Sequence, residues 1–116
     1  MRLDTVILHV GDWSMVERCR DWYAQHLGLA RARELEGESS WLVAGELTLG
    51  FHTGEAANDP AVTLSFVVPD VDAQARRLRA SGVAVAGPDD KPWGARAATT
   101  RDPAGYEVIL MSPRRR

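Results

Sequence analysis

Hydrophobic and polar positions change period several times along this chain, and each change marks an element. Thr5 to Val10 alternates: Val6, Leu8 and Val10 share one face, and Thr5, Ile7 and His9 the other. Gly11-Asp12 ends that strand. Ser14 and Glu17 then read as a capping box, serine accepting from a helical amide and glutamate reaching back. The helix runs to about Leu27, with Met15, Cys19, Trp22, Tyr23 and Leu27 along one side. Gly28 is placed to end it in a left-handed conformation. Ala30 to Glu36 reads as an exposed strand and Gly37 to Ser40 as a turn. Trp41 to Ala44 and Leu47 to His52 read as a hairpin across Gly45-Glu46, with Thr48, Gly50 and His52 on one face.

Thr53 to Pro60 has no periodicity and reads as a linker. The pattern then restarts. Thr63 to Val68 alternates, with Thr63, Ser65 and Val67 on one face, and a helix follows from about Asp72 to Ala80, closed by Gly82. Val83 to Ala86 reads as a short strand and Gly87 to Gly94 as a loop. Ala97 to Thr100 and Tyr106 to Leu110 form a final hairpin. Its turn, Asp102-Pro103-Ala104-Gly105, supplies a proline dihedral, a permissive glycine and a carboxylate for nearby amides. Tyr106, Val108 and Leu110 share one face; Glu107, Ile109 and Met111 share the other.

Aligning Asp12 with Asp70 pairs Thr5 with Thr63, Leu8 with Phe66 and Val10 with Val68. The chain is therefore an internal repeat. The expected fold is α+β: two tandem βαβββ modules, about 1–57 and 58–116, in a single domain. The modules form a curved mixed β-sheet, helices on one face and a groove on the other. A ferredoxin-like domain with an unrelated extension is the alternative. At 116 residues there is chain for one core, and one half alone is too small to bury a helix face and a sheet face.

Two strings carry a family resemblance. Pro92-Trp93-Gly94, Arg96 and Arg101-Asp102-Pro103-Ala104-Gly105 resemble the closing segment of the vicinal-oxygen-chelate superfamily. That group contains glyoxalase I, extradiol dioxygenases and bleomycin-resistance proteins, and this form is most similar to the bleomycin-resistance branch. Trp22-Tyr23 before Leu27-Gly28-Leu29 resembles the family's other recurrent string. The resemblance implies one divalent metal in the enzymatic members, held from the first and last strands of each half. Those positions fall here on Thr5, Gly50, Thr63 and Ile109, none of which is a ligand for a transition metal. The expectation is no metal and no cofactor.

The groove face is expected to carry a mixed apolar and polar lining that suits a small molecule. The candidate ligand-binding residues are His9, Trp41, His52, Thr63, Ser65, Trp93, Arg96 and Glu107, with no catalytic residue assigned. Trp93 and Trp41 can stack on a flat ligand, and Arg96 can stack or bind a carboxylate. Their alternative roles are structural, Trp93 capping a sheet edge and Arg96 pairing with Asp89 or Asp90. Two enzymatic alternatives stay open. One is a lyase, isomerase or dioxygenase with a metal site displaced onto His9, His52 and Glu107. The other is a metal-free enzyme using His9 or Glu107 as general base. The resemblance also implies a homodimer, since the family commonly closes its groove by pairing.

Charge and cysteine content narrow the partners. A formal net charge of −2 offers no electrostatic case for nucleic acid. It also lacks the acidity that would favour a cationic antibiotic. The terminal run Arg114 to Arg116 reads as a solvated tail. Cys19 is the single cysteine, so no intrachain disulfide forms and nothing requires an oxidising compartment. No apolar run reaches membrane-spanning length. The expectation is a cytoplasmic protein with a small-molecule ligand.

Overall fold

The protein's computed structural model describes residues 1–56 and 62–113. Residues 57–60 of the expected linker and the basic tail at 114–116 lie outside them. The chain divides into two compact units, Met1–Asp59 and Pro60–Arg116. The first holds β1 (Thr5–Gly11), α1 (Trp13–Leu27), β2 (Ala30–Leu35), β3 (Ser39–Ala44) and β4 (Leu47–Thr53). The second holds β5 (Thr63–Val67), α2 (Val71–Ala80), β6 (Ala86–Asp90), β7 (Ala95–Arg101) and β8 (Glu107–Pro113). Each unit is βαβββ, and the fold is α+β with tandem modules.

The strand orders are β1-β4-β3-β2 and β5-β8-β7-β6, the same path twice. In each unit the first strand runs parallel to the fourth and the other pairs are antiparallel. Thr5 opens β1 and Thr63 opens β5. Asp12 and Asp70 are the N-caps of the two helices, accepting from the amides of Met15 and Ala73.

In the first unit α1 packs on β1, β3 and β4. Val16, Cys19 and Tyr23 of the helix meet Leu8, Leu42, Leu49 and Phe51, all buried. Tyr23 and Phe51 lie 5.1 Å apart between ring centroids. In the second unit Val71, Ala75 and Leu78 of α2 are buried with Ala98, Val108 and Leu110. Leu8, Leu49, Phe51, Val108 and Leu110 come from the apolar faces that the alternation marks.

Three local expectations are corrected. The capping box does not form: Asp12 caps α1, and Ser14 Oγ donates to Asp12 Oδ1 at 2.7 Å instead of accepting from a helical amide. A carboxylate already one residue ahead of the helix outcompetes the hydroxyl. The helix consequently starts at Trp13, and its buried line is Val16, Cys19, Arg20 and Tyr23, with Met15, Trp22 and Leu27 half-buried. Arg20 is buried because Asp21 and Glu34 each meet its guanidinium at 2.9 Å. The strand expected at Val83 to Ala86 begins only at Ala86 and runs through Gly87-Pro88, joined by a cis peptide bond, to Asp90. Pairing with β7 recruits this segment despite its turn-forming residues, and Pro88 is tolerated on an end strand, where its missing amide is not needed. Val83 is instead tied to the end of α2 through Leu78 O.

Candidate functional site

The register of β1, β4 and β3 places three rows across the face of the first sheet opposite α1. They are Thr5, Thr48 and Val43; Ile7, Gly50 and Trp41; and His9, His52 and Ser39. The middle row is unusual because its central member has no side chain. The Trp41 ring fills that space: a Cβ added to Gly50 would stand 3.1 Å from its Cε3 and 3.2 Å from its Cδ2. The indole N–H donates to Ser39 Oγ at 3.1 Å, so the ring is held at both ends. Ser39, read from sequence as a turn residue, is a strand residue. Its two-residue spacing from Trp41 puts the two on one face.

The two imidazoles of the next row stand beside the indole. The His52 ring lies edge-on to Trp41 with centroids 4.9 Å apart, and His9 lies edge-on to His52 at 5.9 Å. His9 Nδ1 faces the Thr53 carbonyl at 3.3 Å, so that nitrogen donates. Close approach of Gly54 permits this placement, since a Cβ there would stand 2.9 Å from His9 Nδ1. His52 Nε2 is buried and has no hydrogen-bond partner. Burial pushes the His52 pKa below the usual imidazole value, the His9 charge adds to this, and Glu38 opposes it.

The second unit places its candidates on two different faces. Thr63, Ser65 and Val67 of β5 stand beside Glu107, Ile109 and Met111 of β8, opposite the face that buries Val108 and Leu110. Thr63 Oγ1 donates to Glu107 Oε1 at 3.2 Å. Arg96 does not join them. It stands beside Ser112 on the α2 side, where Asp72 takes its Nε and Nη2 at 2.9 Å each and Asp90 takes Nη1 at 3.3 Å. The carboxylate partner from β6 was legible in sequence; the principal one, on α2, was not. Trp93 is 58% exposed in the turn between β6 and β7. An open cleft of about 470 Å³ between residues 83–86 and 99–101 includes none of the candidates.

The repeated βαβββ path and the closing turn are matched by one family. The sequence model of the glyoxalase/bleomycin resistance protein/dioxygenase superfamily covers residues 2–110. The chain belongs to that superfamily. Among solved structures it is similar to TnmS3, an antibiotic binding protein from Streptomyces sp. CB03234. The identity is 27%, coverage is 98% of this chain and 97% of that one, and the TM-score is 0.79. It is also similar to lactoylglutathione lyase from Agrobacterium tumefaciens, at 21% identity, 96% and 92% coverage and a TM-score of 0.77. A virulence protein from Salmonella typhimurium shares the fold at 18% identity, 98% coverage of both chains and a TM-score of 0.76. A comparison with curated protein sequences finds no match.

The metal implied by the superfamily's enzymes does not fit this superfamily member. Its four ligand positions hold two hydroxyls, a hydrogen and an alkyl group, at Thr5, Thr63, Gly50 and Ile109. Glu107, two residues from the last of these, is engaged by Thr63. Among the described residues no group of three or more His, Cys, Asp and Glu is arranged to hold a metal ion. Among the same residues no helix is long and apolar enough to cross a membrane.

Proposed function

We propose that this superfamily member binds a small, flat or partly aromatic molecule on its sheet face and needs no metal to do so. The observation that carries the reading is the Trp41 ring laid on Gly50 beside His52 and His9. An indole whose N–H is already satisfied by Ser39 offers a ligand its ring alone, which suits stacking. The flanking imidazoles add polar contacts without a fixed charge. The likeness to a protein described as antibiotic binding, at 27% identity, supports a binding role over a catalytic one.

On the second unit Thr63, Ser65 and Glu107 present hydroxyls and a carboxylate on one face of that unit's own sheet, and Trp93 is exposed in the turn between β6 and β7. The proposal takes the whole chain as one working domain and the active species as a cytoplasmic homodimer without cofactor. Sedimentation at high micromolar concentration tests the dimer, and a monomer there refutes it.

The binding reading is tested by purifying wild type and Trp41→Ala and identifying by mass spectrometry the small molecules each releases on denaturation. Wild type is expected to release a compound that the variant carries at a reduced level. Equal loading of a folded Trp41→Ala protein overturns the role of this face.

A further inference from the structure

His52 carries the least satisfied polar atom on the proposed binding face. Its Nε2 is buried without a hydrogen-bond partner, in a ring that stands edge-on to both Trp41 and His9. A buried nitrogen without a partner is costly, and an orphaned N–H is rarer in folded proteins than an orphaned acceptor. The proton of the neutral ring therefore belongs on Nδ1, leaving Nε2 as a bare acceptor. No side chain in the first unit's row supplies it with a donor: Trp41 Nε1–H is spent on Ser39 and His9 Nδ1 on Thr53 O.

We infer that this site takes a flat aromatic ring bearing a hydroxyl group, the ring packed on Trp41 and the hydroxyl donating to His52 Nε2. The inference rests on the binding reading above and names the ligand class. A bare acceptor selects donors. A carboxylate, a quinone carbonyl or an ether oxygen would set lone pair against lone pair. A hydroxyl supplies the missing donor, and as a neutral group it is cheaper to bury than an ammonium. The burial that lowers the affinity of His52 for a proton keeps the acceptor available at neutral pH.

Of the two rings beside His52, Trp41 is pinned on Gly50 and Ser39. His9 is the exposed one, on the end strand of its sheet, and its bond to Thr53 O is long at 3.3 Å. Because Nε2 is buried, a ligand hydroxyl reaches it only when the atoms that cover it move aside.

The experiment measures binding of naphthol, methoxynaphthalene and naphthalene to the full chain at about pH 8, well above the imidazole range. Wild type is expected to bind naphthol about tenfold more tightly than methoxynaphthalene, the worth of one buried hydrogen bond. His52→Phe should bind both alike. Trp41→Leu should weaken all three probes by about fivefold. In wild type, the NMR shift of His52 Nε2 should move with naphthol and not with methoxynaphthalene, which decides the matter even if His52→Phe does not fold. Equal affinity for the two oxygen-bearing probes, or a naphthol preference that survives in His52→Phe, overturns the hydroxyl assignment. If Trp41→Leu still weakens all probes in that case, the small-molecule reading stands without it. Failure of all three probes to bind overturns the ligand class, and the co-purification result then judges the binding reading separately.

Discussion

The indole of Trp41 rests on Gly50, its ring carbons filling the volume a β-carbon would occupy. Gly50 is buried in the middle of β4, and its backbone is not in the left-handed region, so alanine is conformationally allowed there. The added methyl crowds Trp41, whose ring must shift by a few tenths of an ångström to accept it. Gly50→Ala is expected to destabilise the protein by about 1–3 kcal/mol in urea unfolding, the usual cost of overpacking. Displacement of Trp41 should also alter the tryptophan emission and weaken ligand binding. An unchanged spectrum would mean that the indole does not depend on the glycine.

His52 makes stability depend on pH. Its folded-state pKa lies below the ordinary value of 6.5, so the unfolded chain takes up a proton more readily than the folded one. The sign follows: stability is full above about pH 6.5 and falls as the pH drops from there toward the folded pKa. The charged or titratable groups that act on the ring are His9 from β1 and Glu38 from the turn before β3; Trp41 and Ser39 are neutral. Melting curves over this range should show a slope in wild type that shrinks in His52→Phe. An equal slope in both would assign the effect to other groups.

Arg96 ties β7 to α2 and to β6. Removing it leaves Asp72 and Asp90 without their shared cation. Both partners are substantially solvated, so the loss should be modest. Arg96→Met is expected to lower the melting temperature by a few degrees and leave ligand affinity unchanged, since Arg96 stands on the helix side of its sheet. A variant that melts like wild type but binds less ligand would return Arg96 to the binding site.

Elemental analysis of protein purified without chelator or metal-affinity resin is expected to find no stoichiometric zinc, nickel, iron or manganese. The ligand positions lack the imidazoles, thiolates and carboxylates that such ions require. Bound metal that is lost in His9→Ala, His52→Ala or Glu107→Ala would establish a displaced centre.

Much of this protein was legible one residue at a time. Alternation in Thr5 to Val10, Leu47 to His52, Thr63 to Val68 and Tyr106 to Leu110 assigned each residue to a face, because successive strand residues point to opposite sides whatever the strand pairs with. The match of Asp12 with Asp70 exposed the repeat, since both carboxylates do the same capping work. Which residues stand at the superfamily's ligand positions was legible only through the resemblance that locates those positions.

Tertiary structure decided what identity and period leave open. Which strand lies beside which is a long-range choice. Only the parallel pairing of β1 with β4 sets His9 against His52, and only the antiparallel return of β3 sets Trp41 on Gly50. The same holds for β6, where Gly87-Pro88-Asp89-Asp90 reads locally as a loop and becomes a strand because β7 offers it hydrogen bonds. Arg96 is the clearest case. Its period could place it on a face, but its main partner, Asp72, is brought to it by a helix whose packing no neighbouring residue encodes.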